Sequence, residues 1–246
     1  SVSAQKMRLF AFIVGVLVAQ LAAAQNVSKT VPYQPGQKLN MRFDYPQLIK
    51  VSTWDKNEVS IEGIVSINEG ENNDAFQLEA SSGSNTVNIK TYVKNIDELP
   101  RRYMVIRNTQ KIKFKSKDEY RKYAREAGGE HLIYSDGSDI DIKLEIKVPR
   151  GADTRILSVY GVVEVTGFEG PLQVEATYGG IDVSVNEKGV SELTAETDFG
   201  QIYTNLDAKT VAQNERDFHT EILMRPGTGV RYSFESKYGN VYLRKN

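Results

Sequence analysis

The chain has 246 residues, 31 Lys and Arg against 32 Asp and Glu, a net charge of −1, and no cysteine. That length is ample for a hydrophobic core, and 40% apolar with 26% charged residues excludes wholesale disorder. The lack of cysteine removes disulfides, thiolate metal sites, cysteine nucleophiles and a lipidated N-terminal cysteine, and two histidines, His131 and His219, leave little for metal centres or histidine acid–base chemistry. No segment concentrates enough Lys and Arg to track a phosphate backbone, so nucleic acid is not an expected partner.

The first segment reads as an address. Lys6 and Arg8 flank Met7, an apolar run follows from Leu9 to Leu21, and Ala22-Ala23-Ala24 precede Gln25. A charged start, a short apolar middle and small residues at the end predict a secretory signal over residues 1–24, cleaved before Gln25. Met7 reads as the initiator, which leaves residues 1–6 upstream of the true start. The run is shorter than the roughly 20 apolar residues of a membrane span. Cleavage takes away Lys6 and Arg8 and no acid, leaving a charge of −3. No later segment is long and apolar enough to span a bilayer. The expectation is an extracytoplasmic protein (periplasmic, outer-membrane-associated or secreted), not a lipoprotein, with residues 25–246 as a single domain.

Beyond an entry segment with Pro32 and Pro35, apolar residues alternate with period two. Ile49, Val51 and Thr53 precede a turn at 54–57, and Val59, Ile61 and Ile64 follow it, which predicts a hairpin. Phe76, Leu78 and Ala80, a turn at 81–85, then Val87, Ile89 and Thr91 repeat the plan. Ile140, Ile142, Leu144, Ile146 and Val148 alternate with Asp139, Asp141, Lys143, Glu145 and Lys147, a half-buried strand with a charged outer face. Between these lies a basic insertion, 96–135. Ser116 and Glu119 have capping-box spacing, so Lys117–Ala127 reads as a short helix ahead of Gly128-Gly129.

The C-terminal half contains a repeat. Tyr160-Gly161, Tyr178-Gly179, Phe199-Gly200 and Tyr238-Gly239 share one context. Three residues after each aromatic stands Val163, Ile181, Ile202 or Val241; two before it stands Ser158, Ala176, Thr197 or Ser236; four before it stands Ile156, Val174, Ala195 or Phe234. These offsets describe two short strands joined at a corner, where glycine would supply a positive φ. A unit of about 20 residues cannot fold alone: four or five buried apolar side chains are worth roughly 1.5–3 kcal/mol each, against ~1–2 kcal/mol of backbone entropy per residue. Stacked units can. The predicted fold is all-β, a single-layer β-solenoid or β-helix-like stack with N-terminal hairpins and one short helical insertion. Residues 205–230 do not fit the repeat and are expected to form an irregular turn or loop.

The hairpin text from Ile49 to Gly63, the Lys147-Val148-Pro149 segment and the Tyr/Phe-Gly-x-Ile/Val-x-Val units together resemble the bacterial "putative adhesin" β-strand-repeat family, exported proteins of Bacteroidetes-type envelopes. The resemblance spans roughly residues 40–95 and 139–246. It implies a β-helix-like fold and an extracytoplasmic location, and brings no functional residues with it.

Several constellations invite chemistry. Alternating carboxylates at Asp136, Asp139 and Asp141 suggest a Ca²⁺ loop, but the distal bidentate Glu and 12-residue spacing are missing, so a turn entering a strand explains them better. Glu175, Glu196 and Glu235 sit three before the last three aromatics; the sequence gap before Glu235 makes only Glu175 and Glu196 expected neighbours. Glu175–Asp198 or Asp182–Glu196 would be the acid pairs of a carbohydrate-active β-helix enzyme, the alternative function. Tyr203 and Tyr242 occupy an outward position, where they could stack on sugars or, as strand residues commonly do, pack on neighbours. The leading reading is a non-catalytic structural or binding module of the bacterial envelope, with no cofactor, metal or catalytic group. Its partner would be an envelope protein or an anionic glycan such as lipopolysaccharide. Lys117, Arg121 and Arg125 share one helix face with Lys122 beside them, so Arg121, Lys122 and Arg125 are the candidate docking residues, with Tyr120 and Tyr123 anchoring the helix to the β body.

Overall fold

The computed structural model describes residues 24–128 and 132–246; the signal segment expected at 1–24 lies outside them but for Ala24, as does His131. In chain order the strands are β1 (Gln25–Pro32), β2 (Lys38–Phe43), β3 (Leu48–Trp54), β4 (Glu58–Ile67), β5 (Phe76–Ser82) and β6 (Thr86–Val93). The insertion supplies β7 (Arg102–Arg107), β8 (Gln110–Phe114), helix α1 (Lys117–Glu126) and β9 (Ile133–Gly137). Then come β10 (Ile140–Pro149), β11 (Asp153–Ser158), β12 (Val162–Val165), β13 (Leu172–Ala176), β14 (Ile181–Val185), β15 (Val190–Thr197) and β16 (Ile202–Thr204). The last four are β17 (Thr210–Arg216), β18 (His219–Met224), β19 (Val230–Ser236) and β20 (Val241–Lys245).

The all-β expectation holds. The strands form two large mixed sheets, ordered β1-β4-β10-β3-β12-β14-β20-β16 and β17-β18-β15-β19-β13-β11-β2-β6-β5, and a small third sheet, β8-β7-β9. Antiparallel strands occupy one end of the first large sheet and both ends of the second, so the pairing does not show a single-layer solenoid; the parallel repeat runs to the β16 edge of the first sheet and fills only the middle of the second. There the chain alternates between sheets, and each corner joins a strand of one to a strand of the other.

Period-two burial makes the core. In one sheet Ile89, Met41, Ile156, Val174, Phe234, Ala195 and Ile222 stand in register across seven strands, all buried. In the other, Leu144, Ile49, Val163, Ile181 and Val241 form the matching buried row, and Ile202 on the edge strand is half-buried against it. The inward assignment of Val163, Ile181, Ile202 and Val241 therefore agrees with the structure, weakest where the row runs out.

Three expectations are corrected. Strands β3 and β4 do not form a hairpin: β10 lies between them, parallel to β3 and antiparallel to β4. Its apolar alternation fills the slot left open by the turn at 55–57, whereas the 76–91 hairpin does form, as β5 and β6. Ile64 is exposed, because the inward position of β4 belongs to Gly63, against which Leu144 packs too closely to admit a methyl group. Residues 205–230 are not a loop: they hold the β17–β18 hairpin, after which β19 and β20 return and insert between the coil of β13 and β14 and the coil of β15 and β16.

The corner glycines need a different explanation from a positive φ. Gly161, Gly179, Gly200 and Gly239 all lack one. Their backbones instead touch: a methyl on Gly239 would lie 2.5 Å from the carbonyl carbon and oxygen of Gly179, and one on Gly161, Gly179 or Gly200 would come closer still to the carbonyl oxygen of Pro46, Gly161 or Gly239. Buried hydroxyls lock the corners. Ser236 Oγ donates to the Gly179 carbonyl (2.8 Å) and accepts from Gly239 N–H (2.9 Å), and Thr197 does the same with Gly239 and Gly200. Gly179→Ala should therefore cost about 3 kcal/mol or more, as overpacking against immovable backbone does, while Gly189→Ala, with open space around it, should stay within about 0.5 kcal/mol. Chemical denaturation of the two variants measures the difference.

Candidate functional site: an aromatic column, an acidic face and a basic insertion

The residue before each corner glycine points outward, and the close approach of the glycines stacks the rings. Tyr45, Tyr160, Tyr178, Tyr238, Phe199 and Phe218 form one column, with successive centroids 5.4, 5.2, 5.3, 5.1 and 5.5 Å apart. The three central pairs are within 9° of parallel. Tyr178 is 53% exposed, yet both its faces lie against neighbouring rings. The column therefore offers edges and phenol hydroxyls to solvent rather than the open faces that stack on sugars. Tyr203 and Tyr242 likewise stack on each other at 5.2 Å. The most open ring is Phe218, 73% exposed and tilted 31° to Phe199, beside a cleft of about 640 Å³ lined by Gln201, Thr204, Gln213 and His219. The two terminal rings, Tyr45 and Phe218, escaped sequence reasoning because neither precedes a glycine.

Coil order also reorganises the acids. Glu235 stands directly between Glu175 and Glu196, and Glu221 follows on β18, so the pairing of Glu175 with Glu196 alone is wrong and four glutamates run in register across one outer face. Arg155 (3.2 Å) and Gln173 (2.9 Å) serve Glu175. Burial, then the charges of Glu235 and Glu221, pushes the Glu196 carboxyl up. His219 Nδ1 lies 2.7 Å from Asp198 and Nε2 lies 3.5 Å from Glu196, and the Asp198 hydrogen bond foremost raises the imidazole above its ordinary value. The acid pairs considered for glycoside hydrolysis do not come together as such pairs. Asp182 belongs to the other sheet from Glu196 and binds Arg244 at 2.7 Å, while Asp198 is engaged with His219 and Glu175 with Arg155.

The basic insertion is tied down at its base. Arg102, its side chain 4% exposed, is gripped by Glu69 (3.0 Å) and Glu71 (2.8 Å), and Lys115 also reaches Glu71. Asp139 takes Lys111 at 2.9 Å and Lys113, and Asp136 takes Arg101. Two of the three carboxylates read as a possible Ca²⁺ loop, Asp136 and Asp139, thus face cations of the chain itself. Asn68, fully buried with φ 50°, links the pieces by donating to Pro100 and Asn72 and accepting from Asp139 N–H. Long-range partners of this kind leave no local sequence signal.

Helix α1 begins where the capping spacing placed it, with Ser116 accepting from Glu119 N–H at 3.2 Å. Arg121, Lys122 and Arg125 are exposed on it; Arg121 lies 3.6 Å from Asp118, and Lys122 and Arg125 have no ion pair among the described residues. Tyr120 and Tyr123 pack on Phe114, and Tyr120 stacks on Tyr134 at 4.4 Å, so the helix is anchored to the insertion's own small sheet rather than to the β body.

Burial alone would raise the Asp139 carboxyl, but Lys113 and Lys111 hold it below its ordinary value. A carboxylate depressed in the folded state contributes stability that is present above its unfolded value, near 4, and lost as pH falls through the folded one. The protection of β8 amides, taken relative to intrinsic exchange at each pH, should therefore fall below about pH 4, and Asp139→Asn should lower it already at pH 7. Exchange rates in β8 that are unchanged by Asp139→Asn at pH 7 would contradict the anchoring role.

No protein-family model matches the chain, and no curated protein does. Among solved structures, a "putative cell adhesion protein" from Clostridium sporogenes is similar over 91% of this chain and all of its own, with 10% identity and a TM-score of 0.50. A "putative adhesin" from Bacteroides fragilis (9% identity, 90% of this chain and 98% of that one) and a "putative lipid binding protein" from Parabacteroides distasonis (10% identity, 90% and 96%) each reach a TM-score of 0.23. The first likeness is one of fold. Among the described residues no helix is long and apolar enough to cross a membrane, which leaves strands unaddressed.

Proposed function

We propose that the chain is an exported, non-catalytic β-repeat protein acting as a structural or adhesin-like binding module of a bacterial cell envelope. In this reading residues 1–24 are removed, residues 25–246 act as one domain, and the parallel middle works as a short β-solenoid that holds its surfaces rigid. An anionic partner, a glycan or lipopolysaccharide, docks on α1. The observation that carries the reading is the division of charge in the insertion. Arg101, Arg102, Lys111, Lys113 and Lys115 are held by acids from other elements of the chain, whereas Arg121, Lys122 and Arg125 are exposed together on one helix, where Arg121 has only the exposed Asp118 of the same helix beside it. Exposed cations on a helix attract a polyanion without the desolvation that a buried cation such as Arg102 undergoes.

The test is binding of the purified chain to lipopolysaccharide-containing envelope fractions. Binding should fall steeply between low and physiological salt, because exposed charges are screened over about 8–10 Å. The triple change of Arg121, Lys122 and Arg125 to Ala should weaken it by roughly tenfold or more, at about 1 kcal/mol per exposed contact. Binding that ignores both salt and the triple variant would remove α1 as the docking element.

A further inference from the structure

Four glutamates stand side by side on the outer face of β13, β19, β15 and β18, and among the described residues only Glu175 of the four has an Arg or Lys partner, Arg155. Like charges directly opposite on neighbouring strands repel, and here Glu175, Glu235, Glu196 and Glu221 follow one another without interruption. At its β18 end the row meets His219. The Glu196 and Glu221 carboxylates and the imidazole each bring a ligand atom, and these atoms lie within 4.8 Å of one another.

We propose that Glu196, His219 and Glu221 bind one divalent transition-metal ion of the zinc type, with Asp198 orienting the imidazole. The sequence reading expected no metal site, since two histidines make no histidine cluster; the hairpin register supplies the missing ligands as carboxylates. Glu196 and Glu221 are directly opposed on β15 and β18, and His219, two residues before Glu221, shares its face. Tetrahedral zinc with ligands at about 2.1 Å needs them about 3.4 Å apart. His219 Nε2 and Glu196 Oε2 stand 3.5 Å apart, and Glu221 is exposed and free to swing the remaining distance.

The imidazole is also held as a ligand would be. Asp198 lies 2.7 Å from Nδ1 and as a carboxylate can only accept there, which leaves Nε2, on the side of Glu196, as the nitrogen that binds a metal in exchange for its proton. An imidazole nitrogen beside carboxylate oxygens favours zinc over calcium, which takes six to eight oxygens. The remaining position is open, beside the cleft under Phe218 that His219 also lines. Arg216, opposite His219 on β17, forms no ion pair among the described residues, and Lys237 sits over Tyr238, so neither cation neutralises the row.

This inference is independent of docking on α1. Its test is calorimetric titration of the tag-free, chelator-treated chain with ZnCl₂. One saturable equivalent should bind and raise the melting temperature. His219→Ala and Glu196→Gln should each weaken binding by more than about tenfold, and Asp198→Asn by about 10–100-fold, as loss of an orienting partner does. His131→Ala should leave it unchanged, and CaCl₂ should give no effect that depends on His219. Without metal, Glu196→Gln should melt no lower than the parent, because it relieves repulsion. No saturable zinc binding, or binding unaltered by His219→Ala, would overturn the site; so would loss of binding in His131→Ala.

Discussion

The structure depends on one contact, the stacking of backbone on backbone at the corners. Gly161, Gly179, Gly239 and Gly200 approach one another so closely that no side chain fits between them, and only at that separation do the hydrogen-bond ladders run through the bends. Thr177 and Tyr178 N–H donate to Ser158 and Val159, and Lys237 and Tyr238 donate in turn to Ala176 and Thr177, all at 2.9–3.0 Å. Because the corners are in register, the strands on both sides are too. Buried residues then line up as continuous apolar rows, and whatever projects outward lines up as well. The aromatic column and the glutamate row both follow from that constraint. One is favourable, because offset rings attract, and the other is not, because carboxylates repel.

The departure from sequence order has a functional consequence. Had the coils stacked as they occur in the chain, Glu196 would neighbour Glu175 and the last coil would cap the stack. Instead the β17–β18 hairpin lets the chain return, β19 fills the space between β13 and β15, and β18 is left beside β15. That arrangement brings His219, Glu221 and Asp198 to one end of the acidic row and Phe218 to one end of the aromatic column. The insertion lies elsewhere, bound to the β4 and β10 region through Arg102 and Asp139, so cationic and acidic surfaces occupy separate parts of the molecule.

Much of this was legible in the sequence where the information is local. The alternation from Ile140 to Val148 marked a strand with one charged face, Ser116 and Glu119 placed the start of α1, and the aromatic–glycine spacing identified four equivalent corners. What was not legible is which strand neighbours which. A period of two states which face a residue takes and nothing about its lateral partner, so β10 between β3 and β4, and Glu235 between Glu175 and Glu196, could not be read. The corner glycines were recognised for a conformational reason they do not have, since close approach and positive φ leave the same residue in the sequence. Arg102 looked like one cation in a basic run because its partners, Glu69 and Glu71, lie thirty residues upstream.

The order of the coils is the claim on which the acidic row and the metal-binding geometry both rest, and engineered disulfides test it directly, since the chain has no cysteine of its own to interfere. A disulfide needs Cα atoms closer than about 7 Å, which admits adjacent strands about 4.8 Å apart and rejects strands one removed. Oxidation of the double variant Glu175→Cys with Glu235→Cys should therefore give an intramolecular crosslink in the folded chain, and Glu175→Cys with Glu196→Cys should not. The reverse outcome would mean that the coils stack in sequence order and would contradict the fold described above.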